Sequence, residues 1–190
     1  MSMRPTVPRI DAIEPRDFTD EQAGVVGGRD SPVGALNISR TLVHHPLLFR
    51  SWMPFAGFIG LQSSLPPRER EIFVLRILAL CGETYELSHH LVIARKAGLT
   101  TEEIAAARVG AGEFSEFEQV LLRAAEELVR EQRTAQATWS TLAQRYTNQQ
   151  MLEVLFTAGM YIAASVVTNS VGIQPEADIE QAWKPVTSGR

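Results

Sequence analysis

Residues 68–98 read REREIFVLRILALCGETYELSHHLVIARKAG, and this stretch decides the fold. Ile72, Leu75, Leu78 and Ala79 recur at helical spacing and give one apolar face. Pro66-Pro67 mark the start of that helix, because proline is tolerated where the backbone N–H has no intrahelical acceptor. Gly82 either interrupts the helix or separates it from a second one over Glu83–Ala97, which stops at Gly98, a residue suited to the left-handed position beyond a helix end.

The same stretch concentrates ionisable groups in apolar surroundings, and buried charge is costly without a reason. On a continuous helix turning about 100° per residue, Glu83, Glu86 and His90 (i, i+3, i+7) fall within about 60° of one another, so they can converge on one substrate or proton. His89 is expected to point about 100° away from His90. Two carboxylates in a low-dielectric pocket cannot both ionise cheaply: one is pushed towards its acid form and delivers a proton while the other accepts. The imidazole of His90 can relay a proton or hold a substrate carboxylate. The bland alternative is a solvated pair of glutamates and a structural histidine. Two glutamates and a histidine also suit zinc, manganese or iron, but the duplicated Glu-x-x-His pattern of a di-metal bundle is absent, so proton transfer ranks above metal dependence and no metal or other cofactor is assigned. Neither a Gly-rich phosphate cradle nor a nucleophile-elbow serine is present.

Outward from this core the chain continues to read as helix. Upstream, Leu36–Val43 forms a short helical run and Leu47–Ile59 carries Phe49, Trp52, Phe55 and Phe58 at three-residue steps, a stripe read as core packing. His44 and His45, before Pro46, read as structural, one or other capping the last carbonyls of the preceding helix. Downstream, Thr100 with Glu103 and Thr147 with Gln150 form capping boxes, as Thr19 with Gln22 does near the start. The helix over 116–132 sets Phe117, Val120, Leu121, Ala124 and Leu128 on one side, and a long amphipathic helix runs from Met151 to about Asn169. No alternating strand run appears, so the expected class is all-α, with seven to nine helices. Its expected parts are an extended arm over 1–35, a helical domain over 36–173 and an irregular tail over 174–190 that holds Trp183 and Pro185.

At 190 residues, 45% hydrophobic and 21% charged, the chain is long and apolar enough for one folded domain, which excludes global disorder. Eighteen basic against twenty-two acidic residues give a net charge of -4 without long runs of one sign, so no nucleic-acid partner is expected. The single cysteine, Cys81, excludes an intrachain disulfide and any two-cysteine redox centre, reads as a buried structural thiol, and makes a reducing, cytoplasmic compartment the default. Met1–Ile10 has no apolar core after its arginines, and the apolar stretches are interrupted short of about 18 residues, so neither secretion nor a membrane partner is expected.

Over about residues 34–174 the chain resembles the carboxymuconolactone decarboxylase and alkylhydroperoxidase-D (AhpD-like) family, through NISRTLVHHP, the proline-led RERE helix, YELSHHLVIARKAGLTTEEI and QQMLEVLFTAGMYIAASVVTNSVG. The family's peroxidase pattern is a glutamate, eleven residues, Cys-x-x-Cys, three residues and a histidine. Here the glutamate falls on Glu71, the cysteine places hold Glu83 and Glu86, the histidine falls on His90, and Tyr85 stands between the glutamates where that branch has histidine. Both redox sulfurs are gone, so the dithiol peroxidase activity does not carry over. The resemblance instead implies the branch without the cysteine pair: an AhpD-like orthogonal helical bundle that forms a homo-oligomer (dimer, trimer or hexamer) and acts on a small carboxylated or lactone substrate as a decarboxylase-like lyase without a cofactor. It assigns His90 to substrate orientation or proton relay, Glu86 to acid–base work, and Glu83 and Glu71 to tuning. Tyr85, Trp52 and Phe55 are expected to wall the pocket and Arg76 and Arg95 to receive an anionic substrate, while Leu87 stands where the family often has tryptophan. Lactone hydrolysis or isomerisation, and a non-enzymatic ligand-binding or structural oligomer, are the alternatives.

Overall fold

The computed structural model describes residues 4–179. After a 3₁₀ turn at Pro15–Asp17 come α1 (Asp20–Val26), α2 (Pro32–Ala35), α3 (Asn37–Leu42) and α4 (Pro46–Gly57), the last running into a π-helical turn at Phe58–Gln62. Then follow α5 (Pro67–Leu80), α6 (Tyr85–Lys96), α7 (Thr101–Val109), α8 (Glu116–Glu131), α9 (Gln136–Ala143) and α10 (Asn148–Val171), with no strand among the described residues. The all-α class is therefore as the sequence indicates. The ten α-helices of the described residues exceed the seven to nine expected because α2 and α3 are separate short pieces, divided at Leu36, whose backbone is extended.

Local sequence explains where the helices begin. Thr19, Thr100 and Thr147 each accept the backbone N–H three residues on while the glutamine or glutamate there returns the bond, and Ser115 with Glu118 forms a fourth such box that the sequence reading overlooked. Proline opens α2, α4 and α5. His45 caps the start of α4, its Nδ1 accepting from Leu48 N, and not the carbonyl end of the helix before it.

Helix α5 forms the centre of the bundle, packed against α6, α7, α8 and α10. Ile72, Phe73, Val74, Leu75, Ile77 and Leu78 are all buried, so the middle of α5 is enclosed on every side and not on one face only. A smaller core of Phe18, Ala23, Val26, Val43 and Phe49 joins the N-terminal helices. The aromatic stripe of α4 therefore serves two cores: Phe49 enters the smaller one, while Trp52 and Phe55 lie against the main one. Phe58 departs from the expected packing and is 39% exposed, because the helix widens into its π turn there and the three-residue spacing no longer holds one face.

The described part of the N-terminal arm lies along the body, with Arg9 N bonded to Val171 O (2.8 Å) and Ile13 N to Arg40 O (3.1 Å). Helix α10 has the length and apolarity of a membrane span, with mean hydropathy 1.6, longer than the interrupted apolar runs of the sequence suggest. Yet it is largely core: its buried Glu153 accepts bonds from Ser63, Ser64 and Gln149, an arrangement made by the bundle itself. Beyond α10 the chain turns at Gly172 and buries Ile173 and part of Glu176; Trp183 and Pro185 lie outside the described residues.

Candidate active site

The turn between α5 and α6 determines which carboxylates reach the pocket. Gly82, at φ 60°, takes the chain out of α5, and α6 starts only at Tyr85. Glu83 therefore precedes the helix instead of sharing a face with Glu86 and His90. Its carboxylate turns inward, 1% exposed, and accepts from Tyr85 N and Leu87 N (2.9 Å each) and from the Thr168 hydroxyl (2.8 Å). This negative group satisfies orphan donors at the positive end of α6 and ties that end to α10. The expected three-group convergence is corrected to two: Glu86 and His90 line the cavity, and Glu83 supports them from behind.

Glu71, on α5, is completely buried and meets His90 across the α5–α6 interface, its Oε2 2.6 Å from His90 Nδ1, while Arg70 Nε donates to Oε1 at 3.2 Å. Burial alone would raise the Glu71 carboxyl, but the charge and hydrogen bond of His90, with Arg70, outweigh it and hold the group below the usual carboxylate range. An ionised Glu71 places the imidazole proton on Nδ1 and leaves Nε2 as the ring nitrogen for exchange. The Tyr161 ring of α10 stands edge-on to the imidazole, with centroids 4.9 Å apart, and restricts its orientation.

In front of this pair lies a cavity of about 240 Å³ between α3, α4, α6 and α10. Trp52, Met53, Met160 and Ala164 supply apolar wall, and Tyr85, Glu86, His89, His90 and Tyr161 the polar groups. Glu86 is half-buried, and among the described residues no hydrogen bond or ion pair engages its carboxyl. Burial pushes that carboxyl above the usual range; His90 opposes the shift and Glu83 adds to it. Glu71 and Glu86 are thus driven in opposite directions, one towards the anion and the other towards the acid.

His89 also lines the cavity, contrary to the expectation that it points away, because the cavity is broad enough to take neighbouring positions of α6. Its Nε2 lies 2.9 Å from Glu176 Oε2, and Glu176 Oε1 accepts from the Tyr85 hydroxyl (2.9 Å) and from Asn37 N (2.6 Å). Burial opposes charge on His89, but Glu176 foremost, then Glu86 and Glu83, leave it above the ordinary imidazole value. Against its own burial, Glu176 is held at about 2 by His89, Asn37 N and Tyr85.

Other expected site residues lie elsewhere. Arg76 Nε bonds Glu126 (2.9 Å) and its Nη1 the Arg108 carbonyl (2.7 Å), so it ties α5 to α8 and the end of α7 and is no substrate cation. Arg95 is exposed and does not line the cavity. Phe55 touches the wall indirectly, packing edge-on to Trp52 at 6.0 Å and to Phe156 at 5.9 Å. Cys81 is half-buried, not buried, and burial first, then Glu83, raises its thiol. His44, bonded to the Asp11 carbonyl, and His45 stay outside the cavity. Tyr161, His89 and Glu176 were missed. Tyr161 left one signal, a phenol in the middle of an apolar helix; Glu176 left none, since its partners Tyr85 and His89 lie about ninety positions away. Among the described residues no three His, Cys, Asp or Glu side chains converge as metal ligands.

The central helix of the bundle thus presents a buried glutamate to a histidine of the next helix, beside an apolar cavity, and the helical fold that carries them is AhpD-like. Residues 46–131, somewhat under half of the chain, match the model of the carboxymuconolactone decarboxylase family. The fold is shared with an uncharacterized peroxidase-related protein from Ralstonia eutropha JMP134 described as an alkylhydroperoxidase AhpD core (TM-score 0.77, 17% identity, 91% of this chain and 94% of that one). It is shared as well with an uncharacterized peroxidase-related protein from Silicibacter sp. TM1040 (TM-score 0.74, 14% identity, 94% and 97%) and a protein of unknown function from Agrobacterium tumefaciens (TM-score 0.65, 16% identity, 72% and 95%). No curated protein matches the chain in sequence.

Proposed function

We propose that the protein is a decarboxylase-like lyase that works without a bound cofactor, using acid–base residues on a small carboxylated lactone or a related carboxylate. The observation that carries this reading is the opposed pair beside one cavity: Glu71 held ionised against His90 behind the wall, and Glu86 on the wall, held towards its acid form with no hydrogen-bond or ion-pair partner among the described residues. In the reaction the bond between the substrate's carbon and its carboxylate breaks, the electron pair passes into the substrate's own conjugated carbonyl, and carbon dioxide leaves. Glu86 then delivers a proton to carbon, and the Glu71–His90 pair returns one from solvent, so that one proton is consumed for each carbon dioxide released. The apolar wall of Trp52, Met53 and Met160 favours loss of the charged carboxylate, which water would otherwise stabilise.

The reading also includes assembly into a homo-oligomer. Leu152, Phe156 and Val166 of α10 are more than half exposed, at 55%, 56% and 62%, and support burial of this face against another copy.

Carboxymuconolactone offered to the wild type, Glu86→Gln and His90→Ala tests the activity, with carbon dioxide and ring-opened product followed together. Carbon dioxide release by the wild type, reduced about 10²-fold or more in both folded variants, is the expected result. Ring opening without carbon dioxide would assign the same acids to hydrolysis, and saturable binding without turnover would make the protein a ligand binder.

A further inference from the structure

We propose that His89, held by Glu176 from the chain beyond α10, is the residue that receives the carboxylate of an anionic substrate. The inference rests on the reading that the pocket handles such a substrate, and it supplies the positive group which that reading lacks. No arginine or lysine lines the cavity among the described residues. Arg76 is tied to Glu126 and the Arg108 carbonyl, and Arg70 serves Glu71. Of the two cavity histidines, His90 is committed through Nδ1 to Glu71. Among the described residues His89 is hydrogen-bonded through Nε2 alone, and in its imidazolium form Nδ1 becomes a second donor beside the apolar wall.

Glu176 is built to keep that form. It sits where three donors meet, the Asn37 N–H at the start of α3, the Tyr85 hydroxyl and His89 Nε2, so its carboxylate is fixed and cannot swing into the cavity to compete with substrate. The titratable and charged groups around His89 are Glu176 from the tail, Tyr85, Glu86 and His90 from α6, Glu83 from the preceding turn and Tyr161 from α10. Burial opposes its charge, and the acids, Glu176 foremost, outweigh burial. Glu176 is therefore a positioning residue that acts through His89. Both contacts with α6 join it to a segment about ninety positions away, and the third reaches α3, so loss of the tail's hold removes the charge on His89.

The test uses the full-length protein with benzoate as an apolar carboxylate probe and benzamide as its uncharged counterpart. Binding and the imidazole signals of His89 and His90 are followed by NMR in the wild type, His89→Gln and Glu176→Gln. The wild type is expected to bind benzoate in preference to benzamide, and His89→Gln to weaken benzoate about tenfold or more at every pH. Glu176→Gln lowers the pKa of His89, so it weakens benzoate at slightly alkaline pH, and affinity returns below about pH 6 as the ring regains its proton. A tail that is merely structural would give no such recovery. The proposal is overturned if the wild type binds neither probe or binds both equally, if Glu176→Gln matches the wild type across the pH range, or if the low-pH recovery is equally large in His89→Gln. Should His89→Gln fail to fold, the pH profile of Glu176→Gln decides alone. No turnover enters these measurements, so a failed decarboxylation assay and a failed carboxylate site are separate results.

Discussion

Glu71 and Glu86 lie on adjacent helices, yet their environments assign them opposite protonation states. Replacing Glu71 by Gln leaves His90 Nδ1 without its anion, so the variant is expected to lose about 1–3 kcal/mol of stability in urea unfolding and most of its turnover. Glu86→Gln is expected to do the reverse to stability: it removes a carboxyl that resists ionisation, so it unfolds at a higher temperature than the wild type at neutral pH while turnover disappears. A Glu86→Gln variant that is both less stable and active would show that this carboxyl is neither strained nor used. At this scale the sequence was partly legible. Spacing placed Glu86 and His90 together, and family resemblance picked out Glu71, but a single helix face could not show that Glu71 reaches His90 from another helix. Angular offset also misjudged His89, because it locates a side chain on its own helix and contains no information about the width of the cavity facing it.

Helix α6 owes its position to the turn before it. Glu83 meets two backbone N–H groups and the Thr168 hydroxyl, so Glu83→Ala is expected to cost about 2–4 kcal/mol, the sum of a lost cap and a stranded buried donor. Its signature is lower thermal stability, with Glu86 and His89 both titrating somewhat lower in the folded fraction once the Glu83 charge is gone; loss of turnover at full stability would instead give Glu83 a direct part in the chemistry. The sequence reading extended the helical angle back to Glu83 because nothing local distinguishes an acid in the first turn from one that folds under it. The capping boxes at Thr19, Thr100 and Thr147 were legible since both partners lie three residues apart. By contrast, the π turn after α4, which exposes Phe58, leaves no comparable mark.

For the molecule as a whole, the all-helical class and the centrality of the 68–98 stretch were legible, whereas the route of the tail was not, since Glu176 reaches the pocket through contacts that exist only after folding. The buried carboxylates also set its acid tolerance. Glu71, Glu153 and Glu176 all titrate lower in the folded state than when unfolded. The stability they contribute is fully present above the ordinary carboxylate value and is lost as pH falls through their folded values, for Glu176 towards about 2. Urea midpoints are therefore expected to fall as pH drops below about 4.5, less steeply in Glu176→Gln. If α10 carries the subunit contact, Phe156→Lys reduces the mass measured by light scattering; an unchanged mass would place the contact elsewhere. The opposed carboxyls remain the central claim, and pH titration of the glutamate side-chain carboxyls by carbon-13 NMR tests it without any substrate. One signal, absent from Glu86→Gln, should titrate above the rest, and another, absent from Glu71→Gln, should stay ionised to lower pH. Both carboxyls titrating together at the ordinary carboxylate value would contradict the acid–base reading of this site.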